Sequence, residues 1–175
     1  MKRSPLQLMH SHFAGLSLVA LDVAPESSDA NTSAYPEVPE GAVDTKVELG
    51  MPASDADDPH QFLLRIGVSS AKSLPTAFPY RFAAQIEGVF RIEHDGDLND
   101  RKRLVLVNGG SMLFGIVREQ ILTLSLRHKN GPLLLPSLDF RGLVPSSEED
   151  ASAQRVKARR PKPRVKKATR ASKHQ

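Results

Sequence analysis

The 175 residues contain no cysteine and no tryptophan. The first absence rules out disulfides, thiolate metal sites and a cysteine nucleophile, and it fits a reducing compartment, so the cytoplasm is the expected location. Aromatic residues make up 5% and hydrophobic residues 39% of the chain. That is enough for one modest core, and a core shared between copies would suit it. No stretch approaches the ~20 apolar residues of a membrane-spanning helix, so insertion is not expected. The opening "MKR", followed by "FAGLSLVALDVA" at 13–24, imitates a secretory leader. His10, Ser11 and His12 break the apolar run, and Asp22 sits where cleavage would fall; a strand beginning near Leu6 is the expectation.

Acidic residues are also missing, but only locally. Arg155 to Lys173 holds ten basic residues and no acid, against totals of 24 Lys+Arg and 20 Asp+Glu. Without that stretch 14 basic and 20 acidic residues remain, a net of −6, so the basic character belongs to a tail.

Catalytic patterns are lacking too. "VNGGSML" has neither the spacing nor the Lys-Ser/Thr of a phosphate-binding loop, and no G-x-S-x-G elbow occurs. "DGDLND" places Asp95, Asp97 and Asn99 like the first ligands of a calcium loop. Asp100 stands where glycine is required and Leu106 where a bidentate glutamate is, so a hairpin turn is expected instead. His10 and His12 share one side of a strand, but no third ligand accompanies them. Asn31-Thr32-Ser33 forms a glycosylation sequon, which means little without a secretion route. Neither an enzyme nor a cofactor is expected.

What is present reads as strands, then a helix. Leu6 to Leu21 suggests a long strand bent at Gly15, and 25–39 a long polar loop. Val43, Thr45, Val47 and Leu49 alternate, as do Phe62, Leu64, Ile66 and Val68. Phe82, Ala84, Ile86, Gly88, Phe90 and Ile92 do so again within 81–93. These four segments predict an antiparallel meander. The period then changes: Leu113, Ile116, Val117, Ile121 and Leu124 form a helical stripe, with Asn108 or Ser111 as candidate caps and Asn130-Gly131 as the stop. Phe114, Leu122 and Leu126 widen the apolar surface, so this helix needs more than one partner. "GPLLLPSLDF" at 131–140 is as greasy as a core strand, yet two prolines keep it out of a sheet. A second short helix is expected from Pro145, and beyond Arg160 the composition predicts disorder. The expected fold is α+β, a four-stranded antiparallel sheet with a long helix packed across one face and a second C-terminal helix. The expected division is 1–144 as the domain and 145–175 as a short helix and basic tail.

Three stretches carry a family resemblance. "FLLRIGVSS" and "FPYRFAAQIEGVFRI" are similar to the third and fourth strands of the SecB export chaperones. "NGGSMLFGIVREQILTLSLRHKNGPLLLPSLDF" resembles their long helix and the loop after it, with Arg118-Glu119 within the helix and Pro132, Leu135, Pro136 and Phe140 in the loop. The match spans roughly 6–143. The resemblance implies a holdase that keeps unfolded or nascent polypeptides from aggregating, without ATP or cofactor. It implies a homo-oligomer, a dimer of dimers, built on the first strands and the helices. It also implies that the Pro132–Phe140 arm walls a client groove, with Leu133, Leu134, Leu135, Leu138 and Phe140 as client-binding candidates and Val38, Phe82 and Ile86 as further ones. Exposed apolar surface of that kind suits clients with no fixed order.

The family's exporting members carry acids on the first and fourth strands that dock the SecA motor. Gly15, Val19 and Ala83 stand at the matching places, with Arg81 nearby, so the docking charge is absent and handover to SecA is not implied. Other SecB-like proteins protect an antitoxin in toxin–antitoxin systems, and this chain fits either use. The alternative function lies in the tail. Arg155, Lys157, Arg159, Arg160, Lys162, Arg164, Lys166 and Lys167 suit a nucleic-acid backbone through counterion release, with the body as oligomerisation module. The tail has no aromatic residue for stacking on bases.

Overall fold

The computed structural model describes residues 3–22, 36, 38–51, 58–74 and 78–143. Four strands form one antiparallel sheet: β1 (Leu6–Ala20), β2 (Val43–Gly50), β3 (Gln61–Ser70) and β4 (Tyr80–Ile92). Their order is β1-β4-β3-β2. Only β2, β3 and β4 form a meander. β1 lies beyond β4, so β1 and β2 occupy opposite edges, which is why a long connection separates them in sequence. A meander throughout was the expectation, and strand alternation alone does not say which neighbours pair.

Alternation placed the faces of β3 and β4. Phe62, Leu64, Ile66 and Val68 point into the core, as do Tyr80, Phe82, Ala84, Ile86, Phe90 and Ile92. β1 is subtler, because its fifteen residues pair with the thirteen of β4. The excess is absorbed at two register shifts, Leu8/His10 and Phe13/Gly15. Each shift inverts the parity, so Leu6, Leu8, Phe13, Leu16 and Leu18 all lie opposite core-facing residues of β4.

One continuous helical segment covers the inner face: α1 (Leu98–Leu104), a π turn (Val105–Gly109) and α2 (Gly110–Ser125). It begins about ten residues before the expected caps. Asp97 is the true cap, its Oδ1 accepting from the Asp100 N–H at 2.8 Å. The segment expected to turn a hairpin, or at a stretch to bind calcium, therefore spends Asp97 on a helix start. Ser111 is no cap either: its hydroxyl donates to the Val107 carbonyl at 2.7 Å within the helix. The π turn, wider than a 3.6-residue turn, keeps Arg101, Val105 and Gly109 on the buried side together with Leu113, Val117 and Ile121. Arg101 is buried and donates to the Pro59 carbonyl at 3.0 Å and to Asp58, tying the first turn to the entry of β3.

The helix approaches the sheet closely because glycines permit it. A Cβ on Gly88 of β4 would lie 2.8 Å from Leu113, and one on Gly110 would lie 2.8 Å from the Phe140 ring. α2 ends at Ser125, five residues ahead of the expected Asn130-Gly131 stop, and turns lead on to Gly131 at φ +78°. The chain then runs as an arm without regular structure to a 3-10 turn, Phe140–Leu143. The expected second helix and the sequon lie outside the described residues, as do all eight basic candidates from Arg155 to Lys167.

Candidate functional site

The arm's position is set at its root by polar groups. Ser125 is fully buried; its Oγ accepts from the Leu133 N–H at 2.7 Å and donates back to the Ile121 and Leu122 carbonyls, 2.8 and 3.0 Å away. Asn130 donates from Nδ2 to the carbonyls of Leu21 and Pro79 at 2.9 and 3.0 Å. The buried Tyr80 hydroxyl donates to the Gly131 carbonyl, and burial pushes its pKa above the ordinary phenol value. Lys129 pairs with Asp22, holding that carboxyl below its usual range chiefly through the hydrogen bond. The ends of β1, β4 and α2 thus converge on one latch. Nothing in the sequence pattern pointed to Ser125 or Tyr80; the only local signal was the Asn-Gly-Pro turn.

From the latch the arm alternates. Leu133 and Leu135 are fully buried, Leu134 between them is half-buried, and Leu138 is half-buried beyond Pro136. Phe140 is buried beside Phe114, ring centroids 6.0 Å apart, in the space that Gly110 leaves. Asp139 and Arg141 pair at the far end, where the Arg141 side chain depresses the Asp139 carboxyl pKa.

Burial divides the expected client-binding residues into two groups. Leu133, Leu135 and Phe140 are the subunit's own core, and so are Phe82 and Ile86, which lie between sheet and helix. Leu133 and Leu135 stand in the interior because an extended arm laid on a sheet and helix must bury alternate side chains, whereas Phe82 and Ile86 belong to the core-facing row of β4. Leu134, Leu138 and Val38 keep exposed surface, Leu138 and Val38 while packing against the core. The segment is greasy to stay attached, and what it offers outward is less than the whole run.

The outer face of the sheet is polar. His12, Glu87, Arg65 and Glu48 stand in one rung across all four strands. Arg65 lies 2.7 Å from Glu87 and 3.1 Å from Glu48, and hydrogen bonds to these acids, Glu87 foremost, raise its pKa. His10 and His12 stack at 5.5 Å, and the His12 Nε2 is 3.8 Å from Glu87. Among the described residues no three ligand-type side chains gather on one point, so the histidines remain a pair. No described helix is long and apolar enough to cross a membrane.

An antiparallel sheet in the order β1-β4-β3-β2, with one long helix over its inner face and an extended arm after it, defines a SecB-like α+β fold. Nine chains of known structure match it. One is the SecB-like chaperone Rv1957 of Mycobacterium tuberculosis, in complex with a ChAD peptide from the Rv1956 HigA1 antitoxin. It is 17% identical, with a TM-score of 0.50, over 77% of this chain and 91% of that one, a likeness of fold. No family model matches the chain. No curated protein matches it either.

Proposed function

We propose that this protein is an ATP-independent chaperone that holds unfolded polypeptide segments against the outward surface of the arm. The observation that carries this is the arm itself: a proline-bracketed apolar segment, latched at Ser125 and Tyr80, that leaves Leu134 and Leu138 half in solvent. A rigid mount matters because a preformed apolar surface loses little entropy when a client arrives. Val38 adds a third contact from the approach to β2. Each contact is weak, and several sum to useful affinity without reading client sequence. The likeness to a chaperone solved with an antitoxin peptide favours an antitoxin or similar client. Gly15, Val19 and Ala83 offer no acids for SecA, so delivery to the export motor is not part of the reading. The working unit is a homo-oligomer joined along β1 and the outer face of α2. Residues 155–175 lie outside the described structure, and no structural observation favours nucleic-acid binding.

The test is suppression of aggregation of a diluted, denatured protein. The native chain should suppress it, and Leu134→Ser with Leu138→Ser should weaken client binding by about tenfold, on the apolar area removed, with the circular dichroism of the fold retained. No suppression by the correctly folded native chain at several-fold excess would overturn the proposal.

A further inference from the structure

A trough of about 760 Å³ lies across the sheet, away from the arm. It exists because small residues, Gly15, Gly67, Ser17, Ala83 and Ser69, fill most of two successive outward rungs. One runs Gly15, Gln85, Gly67, Lys46 from β1 to β2, and the next runs Ser17, Ala83, Ser69, Asp44. Between them the backbone of the Leu16–Ala84–Val68–Thr45 rung forms the floor, since those four side chains point to the other face. Four strands make the trough about 14 Å long. The rung on one side is charged and internally paired, Arg65 bridging Glu87 and Glu48, with one acid in excess.

The other charges around the trough are not neutralised. Lys46 and Lys72 line it and Arg81 stands one rung beyond Ala83. Among the described residues none of the three has an ion-pair partner, and Asp44 is the one unpaired acid beside them. All four side chains are exposed. Uncompensated cations around a concave, small-residue floor select for carboxylates on a chain with bulky side chains to fill the hollow. The floor has no aromatic residue on which bases would stack, which disfavours a nucleic acid.

We propose that this trough is a second docking surface, for an acidic polypeptide segment of a partner protein, separate from the client surface on the arm. The probe is a twelve-residue peptide of alternating Glu and Leu with a central benzoylphenylalanine, photo-crosslinked to the full chain and mapped by mass spectrometry. Mapping is needed because the basic tail also attracts acids. Crosslinks are expected at Gly15–Ser17, Gly67–Ser69 and Ala83–Gln85. A peptide with Gln for Glu should give about tenfold fewer, as should the protein with Lys46→Glu and Lys72→Glu. Ala83→Trp, which fills the hollow from an exposed position, should abolish them while aggregation suppression stays at the native level. Crosslinks confined to the tail or the arm would overturn the proposal, as would equal crosslinking by the Gln peptide or by the Lys46→Glu/Lys72→Glu chain. A fall in oligomeric mass in Ala83→Trp would assign the trough to a second copy and overturn it equally. Suppression of aggregation reports on the arm, so the two readings fail independently.

Discussion

At the scale of residues, a few polar groups do what the apolar ones cannot: they choose one position for the arm. Ser125 sits in the last turn of α2, where its Oγ gives the Leu133 N–H its acceptor inside the core. Ser125→Ala leaves that buried N–H unpaired. The expected loss is about 1–3 kcal/mol in chemical denaturation, more than the same change at an exposed serine such as Ser111 would cost. An unaltered midpoint would mean the arm is not held there. At the other end of the helix, Asp58 reaches the buried Arg101. The hydrogen bond from Arg101 is the largest cause of the lowered Asp58 pKa, against an ordinary value of 3.8. A carboxyl whose folded pKa lies below its unfolded one stabilises the fold above the unfolded value, and that contribution disappears as pH falls through the folded value. Asp58→Asn should therefore flatten the stability profile on the acid side of 3.8 while changing its shape little near neutrality. The arm's leucines were legible as important but not as divided. In "PLLLP" all three are equally apolar, and only the packed backbone tells Leu133 and Leu135 from Leu134.

At the scale of elements, the long helix lies where the sheet makes room for it. Gly88 is the one gap in the core-facing row of β4, and Leu113 fills it. Gly88→Ala puts a methyl group where Leu113 now is and lifts α2 from the sheet. Overpacking of this kind costs about 1–3 kcal/mol, readable as a lower denaturation midpoint with the circular dichroism of the fold retained. No loss of stability would show that the helix rides higher than described. The strands were readable from period-two alternation to within a residue or so, because both faces of β3 and β4 keep strict parity. β1 was readable as a strand but not in its pairing, since its two register shifts hide the parity and alternation does not say that it lies beside β4. The start of the helix was unreadable for a different reason. Asp97 to Arg103 is almost wholly polar, and of the buried positions ahead of Leu113 (Arg101, Val105, Gly109 and Gly110) only Val105 is an apolar side chain, so a hydrophobic stripe begins too late.

At the scale of the whole molecule, the two edges of the sheet are treated unequally. β2 carries Asp44, Lys46 and Glu48 along its free edge, charges that discourage pairing with another sheet. β1 has fifteen residues with no Asp, Glu, Lys or Arg, and it exposes Met9 by 59%, Val19 by 55% and Leu16 by 37%. α2 adds Met112 and Leu124 in solvent, and Leu126 follows at its end. A long, uncharged edge beside an apolar helix surface is a template for another chain, and a second copy would cover the same patch on both subunits. The native chain should therefore sediment as a multiple of its 19.2 kDa subunit at micromolar concentration. Leu16→Lys with Val19→Lys gives β1 the charge protection that β2 already has. That variant should sediment as a monomer with the circular dichroism of the native fold, and it should aggregate less than native chain diluted below its assembly range. A native chain that stays monomeric up to about 100 micromolar, a concentration at which a contact worth ~5.5 kcal/mol would half assemble, would leave β1 without the partner its composition calls for.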